Sequence, residues 1–144
     1  MWARRWDCLF GSINLVSRVA GRLNRRLGVC DAEEMEIIAL ADAPAYDSDR
    51  VVAEPFLDGS QSNVRVIRLS PGQVLPAHTH GVSDLMLYAV EGEGTLDSDG
   101  GSVAFRAGSL AFYCGDEELR LANNGAAGLT LLAFLAPPFP PRSS

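Results

Sequence analysis

Residues 72–92 read GQVLPAHTHGVSDLMLYAVEG, and this stretch holds both histidines of the chain, His78 and His80. Residues two apart on a strand point to the same face, so we expect the two imidazoles to project side by side. Neutral imidazole is a ligand for zinc, iron, copper and nickel. The pair is therefore the candidate centre of a functional site. The alternative is a histidine pair that is hydrogen-bonded inside the core and has no other role.

Short apolar segments separated by turn residues lie on both sides of this stretch. Alternation over residues 64–69 and the apolar run 85–90 predict strands. Further strands are predicted at residues 102–106, 110–114, 118–122 and 129–135. Short strands joined by Gly, Asn and Asp are typical of an antiparallel sandwich or barrel, so the predicted fold class is all-β. Several strands are apolar on both faces, which indicates an outer face covered by a helix or by a second subunit.

The same stretch resembles the first motif of the cupin superfamily, in which a glycine, a His-x-His pair and a second glycine recur at fixed spacing. The residues that match are Gly72, His78, His80 and Gly92. Gly108 and Asn123 match the two ends of the second cupin motif. The resemblance covers roughly residues 50–136. It implies a small single-domain, RmlC-like cupin, which is a double-stranded β-helix (a jelly-roll barrel) whose cavity normally holds a metal.

Leucine occupies two positions that hold metal ligands in cupins. Aligned on the motif residues, the glutamate position falls on Leu85 and the second-motif histidine position on Leu119. Asp84 and Glu118 would enter only through one-residue shifts, and without a bulge both side chains face away from the cavity. The remaining metal site would consist of His78, His80 and Asp84 and would hold a divalent transition metal (Fe, Mn, Ni, Cu or Zn).

If no metal is held, strand alternation makes the barrel interior an apolar chamber. The leucines expected around the histidines are Leu85, Leu87, Leu119 and Leu121. Such a pocket suits a small organic molecule with one polar group, so the leading interpretation is ligand binding with His78 and His80 as the polar anchor. The alternative is a metal-dependent enzyme of the oxygenase, isomerase or cyclase type. A regulatory or scaffolding module is the second alternative, so the sequence leaves open whether the protein is an enzyme.

The beginning of the chain has a different pattern. An apolar stripe in steps of four and three predicts an amphipathic helix, formed by Trp2, Trp6, Leu9, Ile13, Val16, Ala20, Leu23 and Leu27. We therefore divide the chain into a helical extension, residues 1–34, and a barrel domain, residues 35–144, with Met35 as an alternative start. The extension is interpreted as an accessory helix, a targeting presequence, a membrane-surface helix or a dimerisation element.

Charge and composition narrow the function classes. The chain has 144 residues, of which 47% are hydrophobic and 21% charged, as in one globular domain. Residues 31–144 contain seventeen acids and six Arg, a net charge of −11, which excludes nucleic acid as a partner. The chain holds three separated cysteines and no CxxC pair, which predicts no disulfide framework and a reducing compartment.

The same features give expectations about location and assembly. No apolar run in the sequence reaches the roughly 20 residues that a transmembrane helix needs. We expect a cytoplasmic protein, with organelle targeting or membrane-surface binding through the N-terminal helix as the alternative. The resemblance to cupins further implies a homodimer.

Overall fold

A computed structural model describes residues 35–98 and 100–140 of the chain, which form two antiparallel sheets. In this part, the strands in chain order are β1 Val52–Asp58, β2 Asn63–Leu69, β3 Val74–His78, β4 Asp84–Glu91, β5 Glu93–Ser98, β6 Gly101–Arg106, β7 Leu110–Tyr113, β8 Leu119–Ala122 and β9 Leu129–Ala136. A short 3-10 helix, Leu40–Asp42, precedes them. The helix predicted within residues 1–34 lies outside the described residues. The described part has no helix with the length and apolarity that a membrane crossing requires.

The sheets bring together strands that are distant in sequence. The orders are β1-β2-β9-β4-β7 in the larger sheet and β3-β8-β5-β6 in the smaller one. β9 thus lies between β2 and β4, and β8 lies between β3 and β5, with antiparallel pairing at each contact. This interleaving of early and late strands is the arrangement of a double-stranded β-helix. The all-β jelly-roll prediction is confirmed.

Alternating side chains of the strands fill the interior between the sheets. Leu85, Leu87 and Ala89 of β4 are fully buried, whereas Met86 and Tyr88 between them are exposed. This two-residue period follows from the pleat, which turns successive side chains to opposite faces. Strand β8 repeats it, and its inward leucines pack with those of β4 and β9 in one hydrophobic cluster. The interior is therefore leucine-rich on both sheets.

Strands β1, β3 and β5 are not predicted by the sequence pattern. β1 contains Pro55 and β3 contains Pro76. Proline has no N–H to donate to the hydrogen bonds between strands, so its presence argues against a strand in the sequence. Both strands lie at an edge of a sheet, where proline is tolerated. β5 begins at Glu93, directly after a turn at Gly92, and its glycine at position 94 hides the pattern in the same way.

Candidate functional site

His78 points into the barrel because strand β3 has a bulge. β3 pairs Leu75 with Leu121 and His78 with Leu119, so two residues of β3 lie opposite one residue of β8. Residues three apart on a regular strand face opposite sides, and the extra residue of a bulge returns both to the same side. Pro76, one of the two residues in the bulge, has no N–H to leave unpaired there. Leu75 and His78 consequently line the same interior cavity.

His80 lies just after β3 and is held by its backbone. Its N–H donates a hydrogen bond to the carbonyl oxygen of Gly115 at 2.7 Å, and its own carbonyl accepts one from the N–H of Ser83 at 3.2 Å. Its ring lies edge-on to the His78 ring, with 4.7 Å between centroids, and to the Phe139 ring, with 5.0 Å between centroids. The two imidazole rings are therefore in contact with each other.

The two imidazoles differ in their hydrogen bonding. His78 Nδ1 is 2.7 Å from the carbonyl oxygen of Pro76. Because a carbonyl oxygen only accepts, Nδ1 carries the hydrogen, and Nε2 of the neutral ring is left as an acceptor. His80 is only 5% exposed, and its Nδ1 is buried without a hydrogen-bond partner among the described residues. A buried polar atom of this kind is costly, so His80 Nδ1 is the unsatisfied group of the site.

Burial keeps the His80 ring uncharged. Desolvation, reinforced by the neighbouring His78 and by the positive charge of Arg65, lowers the pKa of His80 from 6.5 to about 4. At neutral pH the ring is therefore neutral and offers one N–H donor and one nitrogen acceptor.

A cavity of about 260 Å³ lies against the histidine pair. Its aliphatic wall consists of Ala53, Ile67, Leu75, Leu85, Leu119, Ala133 and Leu135. Arg65, His78 and His80 are the polar lining residues, and Phe139 and Pro140 contribute from the end of the described chain. The cavity is mostly apolar with a few polar groups, which is the usual composition of a small-molecule site.

Residues 137–140, which we call the C-terminal strap, close one side of the cavity. Asn63 at the start of β2 holds the strap through its side chain. Its Nδ2 donates to the carbonyl oxygen of Phe139 at 2.8 Å, and its Oδ1 accepts from the N–H of Phe139 at 3.1 Å. This pair of hydrogen bonds fixes the backbone of Phe139, and with it the ring that contacts His80.

A match to a protein-family profile shows the family of the chain. The family profile described as Cupin domain matches residues 65–135, a segment that runs from β2 into β9 and includes both histidines. The chain belongs to the cupin superfamily. No functionally curated protein is significantly similar to this cupin in sequence.

Solved structures share the fold of this cupin. A Thermus thermophilus protein is 27% identical, with a TM-score of 0.67, over 72% of this chain and 99% of that one. An RmlC-like cupin protein of Desulfovibrio desulfuricans is 23% identical, with a TM-score of 0.65, over 74% and 100%. A Klebsiella pneumoniae protein, described as uncharacterized with a double-stranded β-helix domain, is 20% identical, with a TM-score of 0.67, over 72% and 91%.

The four leucines predicted to surround the histidines of this cupin lie at two depths. Leu85 and Leu119 lie in the cavity wall, and the wall also includes Leu75, which the sequence interpretation did not select. Leu87 and Leu121 face the same interior but lie in the hydrophobic core rather than in the lining. Leu87 and Leu121 each lie two residues further along a strand than a lining leucine. Two residues span about 6.6 Å of strand, so these side chains lie beyond the cavity.

The carboxylates beside the cupin ligand positions do not join the histidines. Asp84 at the start of β4 is exposed and lies outside the cavity lining. Glu118 is exposed and forms an ion pair with Arg120. Among the described residues no three His, Cys, Asp or Glu side chains are grouped closely enough to hold a metal ion. The donors that the described residues supply near the cavity are thus two imidazoles, which does not fit a metal held by three protein ligands.

Asn123, which matches the end of the second cupin motif, is a structural residue in this cupin. It is fully buried. Its Nδ2 donates to the carbonyl oxygens of Leu69 and Ala127, both at 2.9 Å, and its Oδ1 accepts from the N–H of Gly125 at 2.9 Å. These bonds tie β2 to the β8–β9 connection, so Asn123 stabilises the barrel away from the histidine pair.

Arg65 and Phe139 are among the lining residues of this cupin that the sequence did not predict. Arg65 faces inward on β2, and the alternation of residues 64–69 places it on the same face as Ile67. The pattern alone does not show which face is interior, because Val64 and Val66 make the opposite face apolar as well. Phe139 belongs to a proline-rich tail without periodicity, so no local signal indicates that its ring contacts His80.

Proposed function

We propose that the cavity of this cupin binds a small organic molecule and that His78 and His80 are its polar anchor. The observation that carries the proposal is that both imidazoles line a mostly apolar cavity of about 260 Å³. The neutral His80 ring and Nε2 of His78 are hydrogen-bonding groups in this lining. A ligand with one polar group can bond to them while its apolar part packs against the leucines.

The shape and lining of the cavity support a small and mainly apolar ligand. Its volume of about 260 Å³ is below the range typical of sites for drug-sized molecules. Burial of apolar ligand surface against the leucines would contribute about 25 cal/mol for each Å². We therefore expect a ligand about the size of one ring or a short chain.

The low pKa of His80 favours binding over acid–base catalysis. A general base is most effective when its pKa lies near the working pH. Desolvation lowers the pKa of His80 to about 4, so the ring is a weak base at neutral pH. It is well suited to accept or donate a hydrogen bond in an uncharged state.

Two other functions follow from the sequence and are distinguished by direct measurements. A metal-dependent enzyme would need a third ligand besides His78 and His80. Elemental mass spectrometry of protein purified without chelator is expected to find far less than one Fe, Mn, Ni, Cu or Zn per chain. About one metal per chain, lost in His78→Ala, would instead support the enzyme. A scaffolding module would act through residues 1–34 and would lose partner binding when they are deleted.

Benzamide is a suitable probe of the binding proposal because it combines one ring with one neutral polar group. We expect calorimetry to detect its binding to the full chain at millimolar concentration. Ala53→Phe, which adds a ring to the cavity wall, is expected to abolish binding. Ala104→Phe is the matched control, because Ala104 is exposed on β6 and lies outside the lining.

The proposal would be contradicted if benzamide bound Ala53→Phe as tightly as the unmodified chain. Thermal unfolding of each variant shows whether it is folded. If Ala53→Phe is unfolded, Ala133→Leu provides a second way to reduce the cavity volume, because Ala133 also lines it.

A further inference from the structure

Arg65 occupies an unusual place for a charged residue. It lies on β2 two residues before Ile67, and both residues line the cavity. Its partner on β9 is Ala133, which also lines the cavity. The cation therefore lies at an apolar wall rather than on the solvent face of the sheet.

Little in the described structure neutralises this charge. One guanidinium N–H of Arg65 donates to the carbonyl oxygen of Ala53 at 2.7 Å. The carboxylates that pair with arginine among the described residues pair with Arg50, Arg106 and Arg120. None of the described residues that line the cavity is an Asp or Glu. A guanidinium has five N–H donors, so most of its capacity is available to a ligand.

The charge of Arg65 is not required for its structural contact. The β1–β2 ladder already joins the two strands around Ala53, and a neutral amide could donate the same hydrogen bond. A half-buried cation without a counter-ion costs free energy that an uncharged residue would avoid. The positive charge of Arg65 reaches His80, which is neutral and lies in the same lining.

We propose that the cavity selects a small apolar monocarboxylate, with its carboxylate on Arg65 and on the N–H of the neutral His80 ring, and its apolar body against the leucine wall. This inference rests on the proposed function and adds the class of ligand. Arginine binds carboxylates through two parallel N–H donors, and charge-assisted hydrogen bonds of this kind are about twice as strong as neutral ones.

The charges of the site favour a carboxylate over a phosphate. Arg65 is the one permanent cation among the described lining residues, so it balances a single negative charge. A dianionic phosphate would keep uncompensated charge against an apolar wall. The net charge of −11 on residues 31–144 does not oppose this, because exposed charges beyond about 10 Å are largely screened at 0.1 M salt.

Three isosteric probes test the charge preference on the full chain. Benzoate, benzamide and benzamidinium share one planar shape and carry negative, zero and positive charge. We expect calorimetry to show that benzoate binds at least tenfold more tightly than benzamide, and that benzamidinium does not bind. We also expect that inorganic phosphate does not displace benzoate.

Three variants assign the preference to Arg65. Arg65→Gln keeps an N–H donor and removes the charge, and we expect it to bind benzoate and benzamide equally. Arg65→Lys restores the charge, and we expect it to keep most of the preference for benzoate. Arg120→Met removes the same charge from the exposed face of β8, and we expect it to leave the tenfold preference unchanged.

The possible results separate this inference from the proposed function. Equal binding of benzoate and benzamide by the unmodified chain overturns the inference and leaves ligand binding intact. Tenfold preference retained in Arg65→Gln also overturns it, as does displacement by inorganic phosphate. If none of the three aromatic probes binds, both the proposed function and the inference are overturned. The comparison of probes on the unmodified chain does not depend on the folding of any variant.

Discussion

His80 links the stability of the barrel to pH. Its pKa is about 4 in the folded chain and 6.5 ordinarily, because desolvation penalises the charged ring. Between these values the unfolded chain binds a proton that the folded chain does not. Linkage then requires the free energy of unfolding to be highest above pH 6.5 and to fall as the pH decreases toward 4.

Because of His80, we expect the free energy of unfolding to be roughly 1–2 kcal/mol lower at pH 5 than at pH 7. Urea unfolding in the presence of EDTA measures this difference without interference from metal. The His80→Asn variant is expected to be less sensitive to pH over the same range. An equal pH dependence in the variant and the unmodified chain would show that His80 is not the group responsible.

At the scale of residues, the sequence predicts side-chain direction better than depth. The two-residue period correctly orients Leu85, Leu87 and Ala89 inward and leaves Asp84 exposed. It cannot tell how far along a strand a cavity extends, which depends on packing from both sheets. The same period places Arg65 on one face of β2 with Ile67. It does not show what that face contacts.

At the scale of elements, two glycines of the cupin motifs have the same backbone conformation in different surroundings. Gly92 has φ +81° and Gly108 has φ +83°, a region that residues with side chains rarely adopt. A Cβ at Gly92 would lie 2.2 Å from the carbonyl oxygen of Gly128, whereas a Cβ at Gly108 meets no heavy atom within 4 Å. Gly108 is required for conformation alone, and Gly92 for conformation and space.

We expect Gly108→Ala to lower the free energy of unfolding by about 1–2 kcal/mol, the usual penalty for this conformation. Gly92→Ala is expected to cost about 3 kcal/mol or more, because the turn must also shift away from Gly128. Chemical denaturation of both variants measures the difference. Equal destabilisation by the two substitutions would contradict the packing described around Gly92.

The strands that are hard to predict at this scale are those that build the site. The proline at position 76 hides β3 from pattern analysis, yet the bulge there turns His78 inward. Bulges and edge strands are set by pairing with distant segments, and local propensity does not contain that information. The strap is similar, because the position of Phe139 depends on hydrogen bonds with Asn63, which is 76 residues earlier.

At the scale of the whole molecule, the regular spacing of strands and turns predicts the all-β class, and the cupin motifs predict the jelly roll. The outer face of the larger sheet carries an apolar group that the barrel itself does not cover. Its exposed members are Met86, Tyr88, Leu110, Phe112 and Phe134. They are contiguous, since β4 pairs Met86 with Phe112 on one side and with Phe134 on the other.

A homodimer remains a prediction, and this face is where we expect the second copy to bind. Exposed apolar patches of this kind mark interaction surfaces. Sedimentation equilibrium is expected to give the mass of two chains, and Phe112→Asp to give that of one. Val103→Asp is the control, because Val103 is exposed on β6 of the smaller sheet. A monomer at all concentrations would contradict the prediction.

Methyl NMR of the leucines is the most direct test of a ligand cavity beside the histidine pair. On addition of benzoate, we expect changes in the methyl resonances of Leu85 and Leu119, which line the cavity. We expect little change for Leu129, which is buried in the core outside the lining. Changes confined to Leu110 on the outer face, or no change in any leucine, would contradict a ligand cavity beside the histidine pair.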